Sequence, residues 1–141
     1  MSSNPLVGTW RLISWENSTL DGEISYPLGE AASGYIAYNE DGYVFVAIVR
    51  AGRRPFAAGD LLSGTPAEKA RAAKTYVAYC GRYVFDGETV THHVELSLFP
   101  NWVGVAQERL VKITEDRLSL STRPLLLEGR QQTAHLVWER V

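Results

Sequence analysis

Gly34-Tyr35-Ile36-Ala37-Tyr38-Asn39-Glu40-Asp41-Gly42-Tyr43-Val44-Phe45-Val46-Ala47-Ile48-Val49 reads as two strands folded back on each other. Both arms are rich in aromatic and β-branched residues. Asp41-Gly42 between them tolerates the positive φ angles of a tight hairpin turn. The same signal recurs at Asp21-Gly22 and Asp86-Gly87, and further turn signals stand at Pro100-Asn101, Glu115-Asp116 and Glu128-Gly129. Working outward, a short tail over 1–7 leads into extended runs at 8–16, 23–26, 34–39, 43–50, 82–86, 89–98, 104–113, 117–122 and 131–140. Eight or nine antiparallel strands at this spacing predict an all-β barrel or sandwich rather than alternating βαβ units.

One segment departs from the pattern. Thr65-Pro66-Ala67-Glu68 is a capping box with Pro at the first helical position, both suited to the free N–H groups there. It predicts an inserted helix running to about Tyr79, with Ala70, Ala73, Val77 and Cys80 on one stripe and Gly81 as its stop. The connection 51–64 before it is long, and connections of that length often act as lids.

The 141 residues are expected to form one domain spanning 1–141, large enough to bury roughly two-thirds of its unfolded surface. A formal charge of −2, with no basic cluster denser than Arg50-Arg53-Arg54, argues against nucleic acid as a partner. There is no basic-then-apolar N-terminus and no apolar run long enough for a membrane span. The single Cys80 rules out an internal disulfide and suits a reducing compartment, so a cytoplasmic location is expected. Asn17-Ser18-Thr19 matches a glycosylation sequon, which that location would leave without meaning.

Alternate residues of a strand share a face, so polar residues on an apolar face are the informative ones. Val90, His92, Val94, Leu96 and Leu98 form the inward face of their strand by hydrophobic count, with His92 the polar member. In the next strand Val105, Gln107, Arg109, Val111 and Ile113 share a face, carrying Gln107 and Arg109 as polar guests. A hairpin pairs inward faces, so His92, Gln107 and Arg109 are expected to point into one interior. A buried Arg costs several kcal/mol unless paired, a cost tolerated for a ligand, a partner carboxylate or cavity water. In the last strand Ala134, Leu136 and Trp138 face inward, which places His135 outside.

Gly8-Thr9-Trp10, opening the first strand, resembles the G-x-W signature of the lipocalins and their calycin relatives. The wider chain is similar to the bacterial and fungal lipocalin-like domain family. The stretches that carry this are 6–12, Gly34 to Tyr38 with Asp41-Gly42-Tyr43, Tyr79 to Tyr83, and above all Val90 to Gly104 followed by Gln107 and Arg109. The resemblance implies a small antiparallel lipocalin-like barrel with an internal pocket for an apolar molecule. Similar barrels serve as carriers and as cofactor-free cyclases, isomerases or lyases. It also implies that Trp10 plugs the closed end under a late arginine, Arg140 or Arg123.

Three functional readings stay open. The interior binds a small hydrophobic molecule bearing a carbonyl, phenol or carboxylate, with Tyr38, Tyr83, His92, Leu96, Gln107, Arg109 and Trp138 as candidate ligand-binding residues. Alternatively His92 acts as general acid or base beside Arg109 in a cofactor-independent enzyme. In the third, the barrel is filled by its own side chains and serves structure or protein interaction. No cofactor is expected. Adjacent residues on a strand face opposite ways, so His92 and His93 do not chelate one metal together. His93 and Glu95 share the outer face as possible surface partners, and Trp102 in its hairpin loop is expected to shape the mouth or a subunit contact. Exposed aromatics and open edges make a homodimer possible.

Overall fold

The computed structural model describes residues 4–141; residues 1–3 of the expected tail lie outside the described residues. Strands run over Gly8–Thr19 (β1), Ile24–Ser25 (β2), Ser33–Tyr38 (β3), Tyr43–Val49 (β4), Tyr76–Phe85 (β5), Thr89–Ser97 (β6), Ala106–Thr114 (β7), Arg117–Thr122 (β8), Leu125–Leu127 (β9) and Arg130–Arg140 (β10). A helix, Pro66–Lys74 (α1), lies between β4 and β5. All pairings are antiparallel, and β1 pairs with β3 on one side and β10 on the other. Eight strands therefore close into a lipocalin-like barrel, while β2 and β9 extend β1 and β10 as short flaps. Closure removes the sheet edges that an open meander of this length would expose.

The quoted hairpin is in register from Tyr38↔Val44 to Ser33↔Val49, and Gly42 takes the positive φ (90°) its turn demands. Alternation then buries Ile36 and Tyr38 on one strand and Val44, Val46 and Ile48 on the other. These pack with Trp10, Leu12, Val90, Leu118, Leu120 and Trp138 into the core. Full burial of side chains this size contributes about 1.5–3 kcal/mol each.

Residues 4–7 are not a loose tail. Leu6 is fully buried, and its carbonyl accepts a hydrogen bond from Trp10 Nε1 at 2.9 Å. Arg140 donates to the carbonyls of Val7 and Pro5, each at 3.0 Å, while its guanidinium lies 4.1 Å from the Trp10 ring centroid. This end of the barrel is sealed. Arg140, not Arg123, covers the tryptophan; Arg123 pairs with Glu108 at 3.1 Å.

Two expectations about the middle of the chain need correction. The capping box forms as read, with Glu68 N–H donating to Thr65 Oγ1 and Thr65 N–H to Glu68 Oε1. The helix stops at Lys74, however, and 76–81 belong to β5. Tyr76-Val77-Ala78-Tyr79 favours a pleated surface, and seven residues from Tyr76 to Arg82 find partners along β4. Tertiary pairing overrides the helical stripe, which buries nothing along α1. Gly81 is thus no helix stop. It sits where the β5–β6 register shifts, with backbone of His93 and Glu95 in the space a Cβ would fill.

The second correction concerns 51–64, which pack beside α1, with Ala57 N–H on Glu68 Oε2 and Arg53 stacked 4.9 Å from the Tyr76 ring centroid. None of them lines the barrel cavity. Among the described residues no helix is long and apolar enough to cross a membrane.

Candidate functional site

The barrel holds a cavity of about 490 Å³ at the end away from Trp10. Its walls are largely apolar, including Ile36, Val46, Ile48, Leu120, Leu136 and the face of Trp138. Around the mouth stand Ala73 and Lys74 from the last turn of α1, Tyr76, Phe99, Pro100, Trp102, and Leu125 and Leu127 of β9. Trp102 is half-buried in a 3-10 turn (Pro100–Trp102) and meets Tyr79 and Phe99 edge-on, at 5.7 and 5.5 Å between centroids. It shapes the mouth.

His92 is 1% exposed, and both ring nitrogens are engaged. Its Nε2 lies 2.7 Å from the Tyr38 hydroxyl and its Nδ1 2.8 Å from that of Tyr79. Burial, aided by the nearby Arg109 charge and by His93, pushes the imidazole down to about 3, so it is neutral at ordinary pH. Burial likewise raises both tyrosines, and Arg109 opposes the rise at each.

Arg109 lines the cavity from β7 and donates from Nη2 to Gln107 Oε1 at 2.9 Å and from Nη1 to the Glu108 carbonyl at 3.0 Å. Both acceptors are neutral. Between β1 and β10 Trp15 Nε1 donates to Asn17 Oδ1, Asn17 Nδ2 to Gln132 Oε1, and Gln132 Nε2 to the Leu127 carbonyl. That chain is self-satisfied. By contrast Trp138, 1% exposed and lining the cavity, has an indole N–H with no partner among the described residues. A buried donor left unpaired costs about 1–3 kcal/mol.

The expected site residues sort by depth. His92, Arg109 and Trp138 line the cavity together. Tyr38 lies behind His92, and Gln107, 9% exposed, holds Arg109 from the side. Tyr83 points inward at the sealed end, where its hydroxyl donates to the Asn39 carbonyl at 2.8 Å and accepts from Asn4. Leu96 requires correction. Glu95 is an extra residue between the Cys80↔Leu96 and Gly81↔Val94 pairs, and this bulge reverses the alternation beyond Val94. Leu96 is consequently 68% exposed and borders an outer groove with Tyr35, Phe45 and Leu98. The same bulge sends Glu95 toward Arg82, at 3.7 Å, rather than toward His93.

Sequence reasoning missed Tyr79, Asn17, Trp15 and Thr122 as lining residues. For Tyr79 a signal existed: Val77, Tyr79, Gly81 and Tyr83 alternate along one face once the run is read as a strand. His135 is on the outside as expected, held between Ser18 and Ser121 at 3.2 Å from each.

Comparison with known proteins places these features in context. A family model described as a lipocalin-like domain matches residues 7–141. The chain is also similar to a 4'-hydroxy-3'-methoxypropiophenone carrier protein of Aspergillus oryzae, 38% identical over 103 residues, which is 67% of this chain and 93% of that protein. No solved structure matches it.

Proposed function

Because the chain belongs to the lipocalin-like domain family, we propose that it carries a small hydrophobic molecule, an aromatic ring bearing an oxygen acceptor, within its barrel. One observation carries this reading: a largely apolar cavity of about 490 Å³ with Arg109 on its wall. That volume falls in the usual range of small-molecule pockets, roughly 300–1,000 Å³. The aromatic rings of Trp102, Tyr79 and Trp138 suit a flat ligand, and Arg109 offers donors to its oxygen. The likeness to a carrier of a hydroxylated aryl ketone supports the same ligand class.

The enzymatic alternative fares less well on geometry. An acid or base needs a free nitrogen or proton facing the substrate, and both nitrogens of His92 are held by tyrosines. The filled-barrel alternative has to account for the cavity.

Isothermal calorimetry with 4'-hydroxy-3'-methoxypropiophenone tests the proposal. Saturable one-to-one binding is expected, weakened in Arg109→Ala and unaffected in Leu96→Ala, with the ketone recovered unchanged after incubation. Absence of binding, or conversion of the ketone to a product, overturns the carrier reading.

A further inference from the structure

The charges around the cavity are one-sided. Among its lining residues the ionised groups are Arg109 on β7 and Lys74 at the end of α1, with no carboxylate among them. Arg109 forms no ion pair among the described residues, and its two hydrogen bonds end on neutral oxygens. A partly buried guanidinium without a counter-charge is unfavourable unless something else provides one.

Proton placement along the tyrosine–histidine chain points the same way. Tyr38 is 1% exposed, and its hydroxyl has His92 as its partner among the described residues. Either tautomer leaves one tyrosine O–H without an acceptor among the described residues; with the Tyr38 O–H donating to Nε2, that group is Tyr79, which lines the cavity. Nδ1 then carries the imidazole proton and donates to the Tyr79 oxygen. The Tyr79 hydroxyl proton is thereby turned away from His92, on a residue that lines the cavity. Arg109 lines the same cavity as Tyr79.

From this we infer that the cavity holds its ligand as an oxygen anion, a phenolate conjugated to the ring, with Arg109 as counter-charge and the Tyr79 hydroxyl as donor. The inference rests on the carrier reading and deepens it. The other groups facing such an anion do not oppose it. His92 on β6 is neutral, Tyr76 on β5 and Lys74 on α1 stand at the mouth, and β1, β8 and β10 contribute the uncharged Asn17, Thr122 and Trp138.

The test is a spectrophotometric pH titration of 4'-hydroxyacetophenone, whose phenolate absorbs at longer wavelength than its phenol, free and bound to the protein. Calorimetry on the same samples reports binding separately. The bound phenol is expected to ionise about one pH unit lower or more, which means at least a tenfold preference for the anion. Arg109→Gln should abolish the shift and Arg109→Lys retain most of it. Binding of 4'-methoxyacetophenone, which has no proton to lose, should not vary with pH. If the phenol binds but ionises at its free value or higher, or if Arg109→Gln keeps the shift, the anion inference is overturned while the carrier reading stands. If neither ketone binds, the carrier reading itself is overturned.

Discussion

Arg140 lies over Trp10, its guanidinium 4.1 Å from the ring centroid, so the last strand of the barrel clamps the first. The same guanidinium donates to the carbonyls of Val7 and Pro5, which ties the segment before β1 across the sealed end. Arg140→Ala removes the stacked cation and both hydrogen bonds together. A loss of about 2–3 kcal/mol of stability is expected in urea unfolding. Arg140→Lys should recover only part of it, because an ammonium cannot stack and fork in the same way. A loss below about 0.5 kcal/mol would show that the clamp is ornamental.

The buried His92 sets an acid limit on stability. Its folded-state value, about 3, lies below the ordinary imidazole value of 6.5. The unfolded chain therefore binds the extra proton between those limits, and stability falls as pH drops from about 6.5 toward 3. Between pH 6.5 and 5.5, where surface carboxylates stay largely ionised, the expected loss is roughly 1 kcal/mol. Urea midpoints across that window should slope downward for the native chain and flatten in His92→Gln. An equal slope in both proteins would contradict the assignment.

Gly81 has no room for a side chain, since a Cβ there would run into the His93 carbonyl at the β5–β6 bulge. Gly81→Ala is expected to cost roughly 1–3 kcal/mol through forced strand displacement. Amide hydrogen exchange should quicken first in β5 and β6. Unchanged unfolding would mean that the two strands separate at this point without penalty.

Trp138→Phe separates the two roles of the indole. It keeps the apolar wall and deletes an N–H that has no partner among the described residues. Stability of the ligand-free protein should stay within about 1 kcal/mol of the native value, because lost packing is offset by removal of an unpaired donor. Affinity for 4'-hydroxy-3'-methoxypropiophenone should fall by less than about threefold in calorimetry, because the indole N–H has almost no accessible surface. A larger loss would show that the N–H reaches the ligand after all.

The strand pattern was legible because each signal is local. Asp41-Gly42 and Asp86-Gly87 announce their hairpins through backbone preference alone, and alternation named His92 and Arg109 as inward polar residues. Thr65 to Glu68 announced the start of α1 in the same way. Its end was read too late because the apolar stripe of Ala70, Ala73, Val77 and Cys80 continues past Lys74, whereas Tyr76 to Tyr79 prefers a strand and pairs with β4. Leu96 was misplaced for a related reason: a bulge at Glu95 shifts every later residue to the other face, and nothing in the side-chain pattern marks it.

Sequence by itself thus determined an antiparallel barrel with polar residues inside, because turn chemistry and period-two alternation act over a few residues. Tertiary structure alone decided that Tyr79 joins His92, that Trp138 keeps an unpaired N–H, and that no carboxylate lines the cavity beside Arg109. Those facts depend on which strands meet across the barrel and how far each is shifted. That information resides in packing between residues distant along the chain.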